Sequence, residues 1–509
     1  MRRTKMMIYF INFLLIVFII FSCADLNVNN ENQPDKEIAL SNSEDVESLV
    51  GGTFLNIWQA KQTMDMGLAF STLADELTSQ WGNWGIGEWS KEPREEYDNS
   101  TTSNYYLMTA DPWFFLYEVI STAKDGLDAL NAGMQFGENG ENNIRLEAYC
   151  RFLQGIAHGE IALIFDKAFI VDETSDLTAT PQFSSYTEVM NAAITYLNEC
   201  IAICQTNSFE LPAEWIPGNV VDNSVLEQYA HSFIARYLAG VARNPQEREL
   251  VDWNSVIENA DAGISQDWIV EMDGNYWYDG IKYFGSREDW LKADYFVIGP
   301  ADTSGAFDAW AASSPDDRQP FVIETADRRI AGPDSTTAPG TDFQFFDTFP
   351  FEGYRGSYYG SIRYYEHFAS GATSSVSWFN ASELRLLKAE GLYRLNADAG
   401  QVADIINETR VTRGQLPPAT GTDPDLFEKL KYEKRIEIFL SAGGLMYLER
   451  RGWGELGTGS PLQFPVPAGE LQVLLEDVYT FGGDGEYAAK KARGSYLRTF
   501  SDSYTKYSY

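Results

Sequence analysis

Residues Ile144–Asp166 read IRLEAYCRFLQGIAHGEIALIFD. Tyr149, Phe152, Leu153, Ile156 and Ala157 recur there at helical spacing, so one face of the segment is apolar. Gly155 and Gly159 carry no side chain and let neighbouring helices come close. Such a helix needs others to cover it. Trp113–Leu130 precedes it across Gly137-Glu138-Asn139-Gly140 and makes a first pair; Tyr186–Cys204 and Val225–Val241 make a second, and Trp253–Ile264 is a further helix. From about 270 to 378 the periodicity gives way to Gly, Asp, Tyr and Trp, the composition of long loops with short strands. Helices return at 383–395, 402–413 and 426–440, with a last amphipathic piece around 445–451. The fold class is mostly α. The pairs are similar to tetratricopeptide units, although the consensus of a regular repeat is absent and long insertions separate them.

The chain has 509 residues, 44% hydrophobic and 22% charged, which excludes a disordered or fibrous protein. Asp and Glu number 74 against 38 Lys and Arg, a net charge of −36 that repels polyanions and excludes nucleic acid as a partner. Aromatic residues make up 14%, more than a core uses, and point to flat, apolar-faced ligands.

Arg2, Arg3 and Lys5 precede an apolar run, Ile8–Phe21, broken only by Asn12. At 1.5 Å per residue the run falls short of a roughly 30 Å hydrocarbon core, so it is a leader and not a span. Its end, Phe21-Ser22-Cys23, resembles a bacterial lipobox, which makes 1–22 a lipoprotein signal peptide and Cys23 the lipidated residue. More than one acyl chain on Cys23 would hold the protein at a membrane without a spanning helix. Ala24, rather than Asp, follows, as in lipoproteins sorted to the outer membrane. Residues 23–45, rich in Asn, Asp and Glu, read as a solvated tether, and 46–509 as a single unit. Cys150, Cys200 and Cys204 are an odd set with no His nearby, and they read as buried small hydrophobes.

Catalytic groupings are missing. His158, His231 and His367 are far apart, and there is no nucleophile elbow, phosphate loop, dinucleotide fingerprint or calcium loop, so no catalytic residue, metal or cofactor is assigned. Aromatic clusters stand out instead. Trp81, Trp84 and Trp89 fall within nine residues among glycines, a loop whose Trp faces either bind ligand or pin the loop to the body. Tyr276, Trp277, Tyr278, Tyr283, Phe284, Trp290 and Tyr295 form a second cluster, and Tyr354, Tyr358, Tyr359, Tyr364 and Tyr365 a third. Arg355 and Arg363 interleave the third, which reads equally as a packed hairpin or a partner-facing surface.

The chain resembles the SusD/RagB outer-membrane nutrient-binding lipoproteins along essentially all of its mature length. Ala39–Trp58 with Gly51-Gly52-Thr53-Phe54-Leu55 is similar to the family's first helix, and Leu73-Ala74-Asp75-Glu76-Leu77 to the acidic loop after it. Arg145–Phe165 resembles its Arg-rich helix, with Ile164-Phe165-Asp166 lacking the usual Gly. Asp316-Asp317-Arg318, Leu384–Leu395 and Ala403–Gly414 resemble later elements. Glu433–Phe439, Glu449–Gly454 and Leu462–Pro467 with Glu470 resemble the closing motifs in order, with Ala442–Met446 in place of a Gly-His-Arg stretch.

This resemblance implies a SusD-like fold: four irregular tetratricopeptide-like helix pairs, here about 110–270 and 380–455, packed against a loop-rich half, about 70–110 and 270–380, with short strands. It implies a cell-surface lid on a SusC-like TonB-dependent β-barrel transporter that binds oligosaccharide and hands it inward without chemistry. A peptide-binding member, a surface glycan hydrolase and a structural repeat adaptor are the rival readings. In this architecture the ligand site uses the first two aromatic clusters, namely Trp81, Trp84, Trp89, Tyr276, Trp277, Tyr278, Tyr283 and Trp290. Asp75, Asn83 and Arg287 would supply polar contacts. A neutral glycan is the expected ligand, because the acidic surface disfavours anionic ones.

Overall fold

The computed structural model describes residues 40–62, 65–79, 81–176, 178–287, 289–332, 339–346 and 356–483. Cys23, the leader and the tether as far as residue 39 lie outside them, as do Tyr354 and Arg355; from Ser43 the expected tether is already helix. The described chain opens with α1 (Ser43–Gly52), α2 (Phe54–Lys61) and α3 (Asp65–Leu73). Next come α4 (Leu107–Asn131), α5 (Asn143–Ile164), α6 (Tyr186–Thr206), α7 (Asn223–Gly240) and α8 (Trp253–Ala262), where each helix from α5 onward packs on the one before. Two short helices, α9 (Gly280–Gly285) and α10 (Tyr365–Ala369), belong to the loop-rich half. The chain then returns to the scaffold as α11 (Ala381–Arg394), α12 (Ala399–Arg410), α13 (Leu426–Glu437) and α14 (Leu445–Trp453). Helix α11 lies on α8, and α12 and α13 lie on α11 and on each other. The described residues thus form four irregular pairs, α4/α5, α6/α7, α8/α11 and α12/α13, the third split by the loop-rich insertion.

Helix α5 holds the scaffold together through its glycines. A Cβ on Gly155 would stand 2.5 Å from Leu197 of α6, and one on Gly159 2.1 Å from the Tyr237 ring of α7. Both distances are shorter than any packed contact, so only glycine admits these neighbours. The Tyr237 hydroxyl donates to the Ile156 carbonyl at 3.1 Å and to Glu160 at 3.2 Å, and Glu160 also takes Lys61 at 2.6 Å. His158 is buried on the same helix. Its Nδ1 donates to the Gln154 carbonyl at 2.8 Å and its Nε2 accepts from the Val171 N–H at 3.2 Å, which fixes a neutral ring. Burial holds its pKa down to about 4. Cys150, Cys200 and Cys204 are buried and free.

Helix ends follow local chemistry. Ser185 and Glu188 form a capping box on α6. Helix α4 begins at Leu107 rather than Trp113 and runs through Pro112, close enough to its start that little intrahelical bonding is lost. Helix α13 ends before the expected residue 440, because Leu440 and Ala442 take left-handed φ values of 55° and 48°.

Six short strands order the loop-rich half: β1 (Leu77–Thr78), β2 (Trp268–Val270), β3 (Lys292–Ala293), β4 (Phe343–Phe345), β5 (Tyr359–Ser361) and β6 (Val376–Phe379). Strands β2 and β6 pair antiparallel, with Trp268 opposite Phe379 and Val270 opposite Val376, so the insertion leaves and rejoins the scaffold at one place. Strand β1 pairs with β3, Leu77 opposite Ala293, and β4 with β5. A second core under these strands gathers Leu68, Leu77, Ile281, Phe284, Tyr295 and Leu440, apart from the helical core.

Buried ion pairs join the last helices. Arg248 binds Glu390 at 2.7 Å and Glu449 at 2.8 Å, and Lys434 binds the same two carboxylates at 2.5 and 2.8 Å. Removing Arg248 leaves Glu449 to Lys434 alone and Glu390 to Lys434 and Arg394. Arg248→Met should therefore cost roughly 3–5 kcal/mol in urea unfolding; a change near zero would refute the role. A second expectation concerns His158. Its folded pKa lies below its unfolded value, so its contribution is complete above about pH 6.5 and is lost as pH falls toward 4. The stability advantage of the wild type over His158→Gln should shrink across that window in paired urea titrations.

Candidate functional site

The loop from Trp81 to Trp89 is built before any side chain projects from it. The Ser79 N–H donates to Ser90 Oγ at 3.0 Å, and the Ser90 hydroxyl donates to the Ile86 carbonyl at 2.6 Å, closing the loop at its base. The Ser79 hydroxyl donates to the Trp290 carbonyl at 2.9 Å and accepts the Trp81 N–H at 3.1 Å, tying the loop to the segment after α9. Trp84 takes a left-handed φ of 48°, unusual for a bulky residue, and Gly85 follows at 72°. Such backbone persists only where neighbours hold it.

Those neighbours are aromatic. The Trp84 ring meets Trp290 edge to face at 5.1 Å and Phe284 at 5.4 Å, and Phe284 meets Trp290 at 4.4 Å. The array continues from Phe284 to Tyr283 at 5.1 Å, and from Tyr283 to Tyr278 at 5.7 Å and Phe368 at 5.2 Å. Phe368 contacts Tyr365 at 5.9 Å. The Arg287 guanidinium lies 5.6 Å from the Trp290 ring and 6.0 Å from Phe368, with Asp289 beside it at 3.1 Å. Phe284 is buried, Trp84, Tyr278, Tyr283 and Trp290 are half-buried, and Trp81 and Tyr365 are 48% and 53% exposed. The result is an aromatic shelf with open ends and one cation at its edge. It suits a ligand with flat apolar faces and hydroxyl edges. A cleft of about 750 Å³ beside Phe296, Phe307, Leu416 and Lys429 lies elsewhere and includes none of these shelf residues.

Five expected site residues therefore come together: Trp84, Tyr278, Tyr283, Arg287 and Trp290. Trp81 and Asn83 are exposed on the loop that carries Trp84. Tyr276 is 63% exposed at a turn tip, with no ring neighbour among the described residues. Three expected residues lie away from the shelf, and burial corrects the reading of Trp89 and Asp75. Trp89 is buried against Tyr97 and Phe464, because the turn at Trp84 and Gly85 directs it inward. Trp277 lies against Phe54 and Trp58 at 6.1 and 5.9 Å, drawn there by the Asp273 carboxylate, which accepts the Trp277 N–H at 2.9 Å. Asp75 is 1% exposed between Arg94 and Arg450, at 2.5 and 2.6 Å, and its charge is spent inside the protein. Phe368 was missed, and Tyr365 was read only as a member of the third cluster. Their i, i+3 spacing is the signal, but a five-residue helix inside a Tyr-rich run is hard to tell from a hairpin.

No family model matches the sequence, and no curated protein matches it. Solved structures do match. A SusD homolog from Bacteroides thetaiotaomicron superposes with a TM-score of 0.59 at 12% identity, covering 89% of this chain and 100% of that one. A SusD superfamily protein from Bacteroides vulgatus gives 0.55 at 14%, covering 85% and 97%. The fold is SusD-like. A SusD-like carbohydrate binding protein from Bacteroides fragilis gives 0.53 at 13%, covering 82% and 87%. The SusD-like fold accounts for the helix pairs and the insertion; at such identity it does not carry over individual side chains. Among the described residues no helix is long and apolar enough to cross a membrane, and no cluster of three metal-ligating side chains occurs.

Within this SusD-like fold Asp75 and Asn83 should behave oppositely. Asp75→Ala removes the carboxylate that two buried guanidinium groups share and should cost roughly 3–5 kcal/mol in urea unfolding, whereas exposed Asn83→Ala should stay within about 0.5 kcal/mol. Equal costs would contradict the placement.

Proposed function

We propose that this chain is a SusD/RagB-type lipoprotein of the outer membrane, anchored through Cys23, which captures an extracellular neutral oligosaccharide and passes it to a SusC-like TonB-dependent transporter. The aromatic shelf of Trp84, Trp290 and Tyr283, with exposed Trp81 on the same loop as Trp84, carries this reading. Sugar rings present C–H faces that stack on such surfaces. Asn83 and Arg287 stand at the edge, where hydroxyl groups would need partners. Arg287 already has Asp289 at 3.1 Å, and the chain carries −36 overall, which favours a neutral ligand over an anionic one. The solved SusD-like carbohydrate binding protein with the same fold supports the ligand class. The leader and lipobox-like Ser22-Cys23 support the location. Modest affinity suits the role, because a captured ligand must also be released to the transporter.

Calorimetric titration of the chain from Ala24 onward with neutral oligosaccharides should give saturable binding without product. Trp84→Ala or Trp290→Ala should weaken it about tenfold, which is 1.4 kcal/mol. Binding only to peptides would shift the ligand class, product release would make the protein a hydrolase, and no binding by a folded chain would end this reading.

A further inference from the structure

Beneath the shelf lies a carboxylate that neither scaffold packing nor ligand contact explains. Glu76 is fully buried at the junction of the three segments that present the aromatics. It immediately precedes β1, which leads to the Trp81–Trp89 loop. Its carbonyl accepts the Asp294 N–H at 2.9 Å, next to β3 and so to the segment carrying Trp290. Its Oε1 accepts the Leu440 N–H at 3.0 Å. Leu440 is the left-handed residue after α13, and a Cβ on Gly285 would lie 2.5 Å from its side chain. Gly285 ends α9, which carries Tyr283 and Phe284. Glu76 therefore reaches all three supports of the shelf.

The second oxygen, Oε2, meets only the Ser71 hydroxyl of α3, which lies beside the carboxyl outside good hydrogen-bond geometry. Two cations are near. Arg450 is engaged by Asp75 at 2.6 Å, and Lys282 on α9 by Asp279 at 2.7 Å. Asp294, the other carboxylate close by, takes the Thr78 hydroxyl. Burial pushes the Glu76 pKa from 4.5 up to about 7. When protonated, Oε2 can donate to Ser71 and no uncompensated charge is buried. When ionised, Glu76 competes with Asp279 for Lys282, one residue before Tyr283, or draws water into the junction.

We propose that Glu76 is a positioning residue that makes the geometry of the aromatic shelf respond to pH near neutrality, with the protonated form holding the binding arrangement. The consequence for ligand rests on the shelf being the binding site; the structural response does not. His367, which lies near Asp279 and Lys282, is the histidine of this region, and burial lowers its pKa below the ordinary 6.5. A transition above that pH is therefore not its own. The sign also follows for stability. A carboxyl whose folded pKa is raised contributes fully below its unfolded value, near 4.5, and that contribution is lost as pH rises through about 7.

The test follows aromatic packing by near-ultraviolet circular dichroism of the intact chain from about pH 5.5 to about pH 8.5. The wild type should show a transition centred near pH 7 that Glu76→Gln, locked in the neutral state, lacks. Infrared difference spectra of the wild type should show a protonated carboxyl band at about pH 6 that is gone by about pH 8.5 and that Glu76→Gln lacks. Oligosaccharide affinity should fall about threefold or more over the same range in the wild type and stay level in Glu76→Gln. A flat wild-type spectrum, or an unchanged transition in Glu76→Gln, overturns the inference. A transition present in spectra with no oligosaccharide bound at any pH leaves the coupling standing and removes the ligand reading instead.

Discussion

One buried carboxylate fastens the two halves of this molecule. Asp75 sits in a left-handed turn at φ 50° after α3 and is held by Arg94 from the loop-rich half and by Arg450 from α14. Its acceptor capacity is matched by two guanidinium groups, and Arg450 also donates to the Ala74 carbonyl. Taking charges out of water is expensive, and these short charge-assisted hydrogen bonds offset part of the cost. The turn then commits Glu76 to the interior and sends β1 toward the shelf. Segments hundreds of residues apart in sequence meet at this point.

The same logic recurs where the scaffold closes. Glu390, Glu449, Arg248 and Lys434 form one buried cluster, and Arg329 binds Asp327, Glu433 and Glu437 in another. A hydrophobic cluster of equal volume would be as stable or more so; paired charges instead penalise every arrangement that leaves one unmatched. Helices whose surfaces are this acidic thereby acquire a single register. The glycines of α5 do the corresponding work in the apolar core, where Leu197 and Tyr237 fit against bare backbone.

The shelf inherits rigidity from both. Its rings are fixed by backbone hydrogen bonds at Ser79 and Ser90 and by edge-to-face contacts with one another, not by a ligand. A preformed surface loses little freedom on binding, so a few stacking contacts yield useful affinity.

Helical periodicity, the loop-rich texture after residue 270 and the glycines of α5 were legible in the chain, because apolar spacing and the absence of a side chain are local properties. The aromatic wealth of the loops was legible too. Which aromatics face solvent was not. Trp84 and Trp89 stand five residues apart in one loop, yet a left-handed turn sends the first to Trp290 and the second to Phe464. Asp75 looked like a ligand contact until Arg94 and Arg450 arrived beside it from opposite ends of the chain. Tyr365 and Phe368 joined the site only because β2 and β6 bring the ends of the insertion together. Composition and spacing record what a residue can do, whereas burial and pairing depend on partners distant in sequence, and those are supplied by tertiary structure alone.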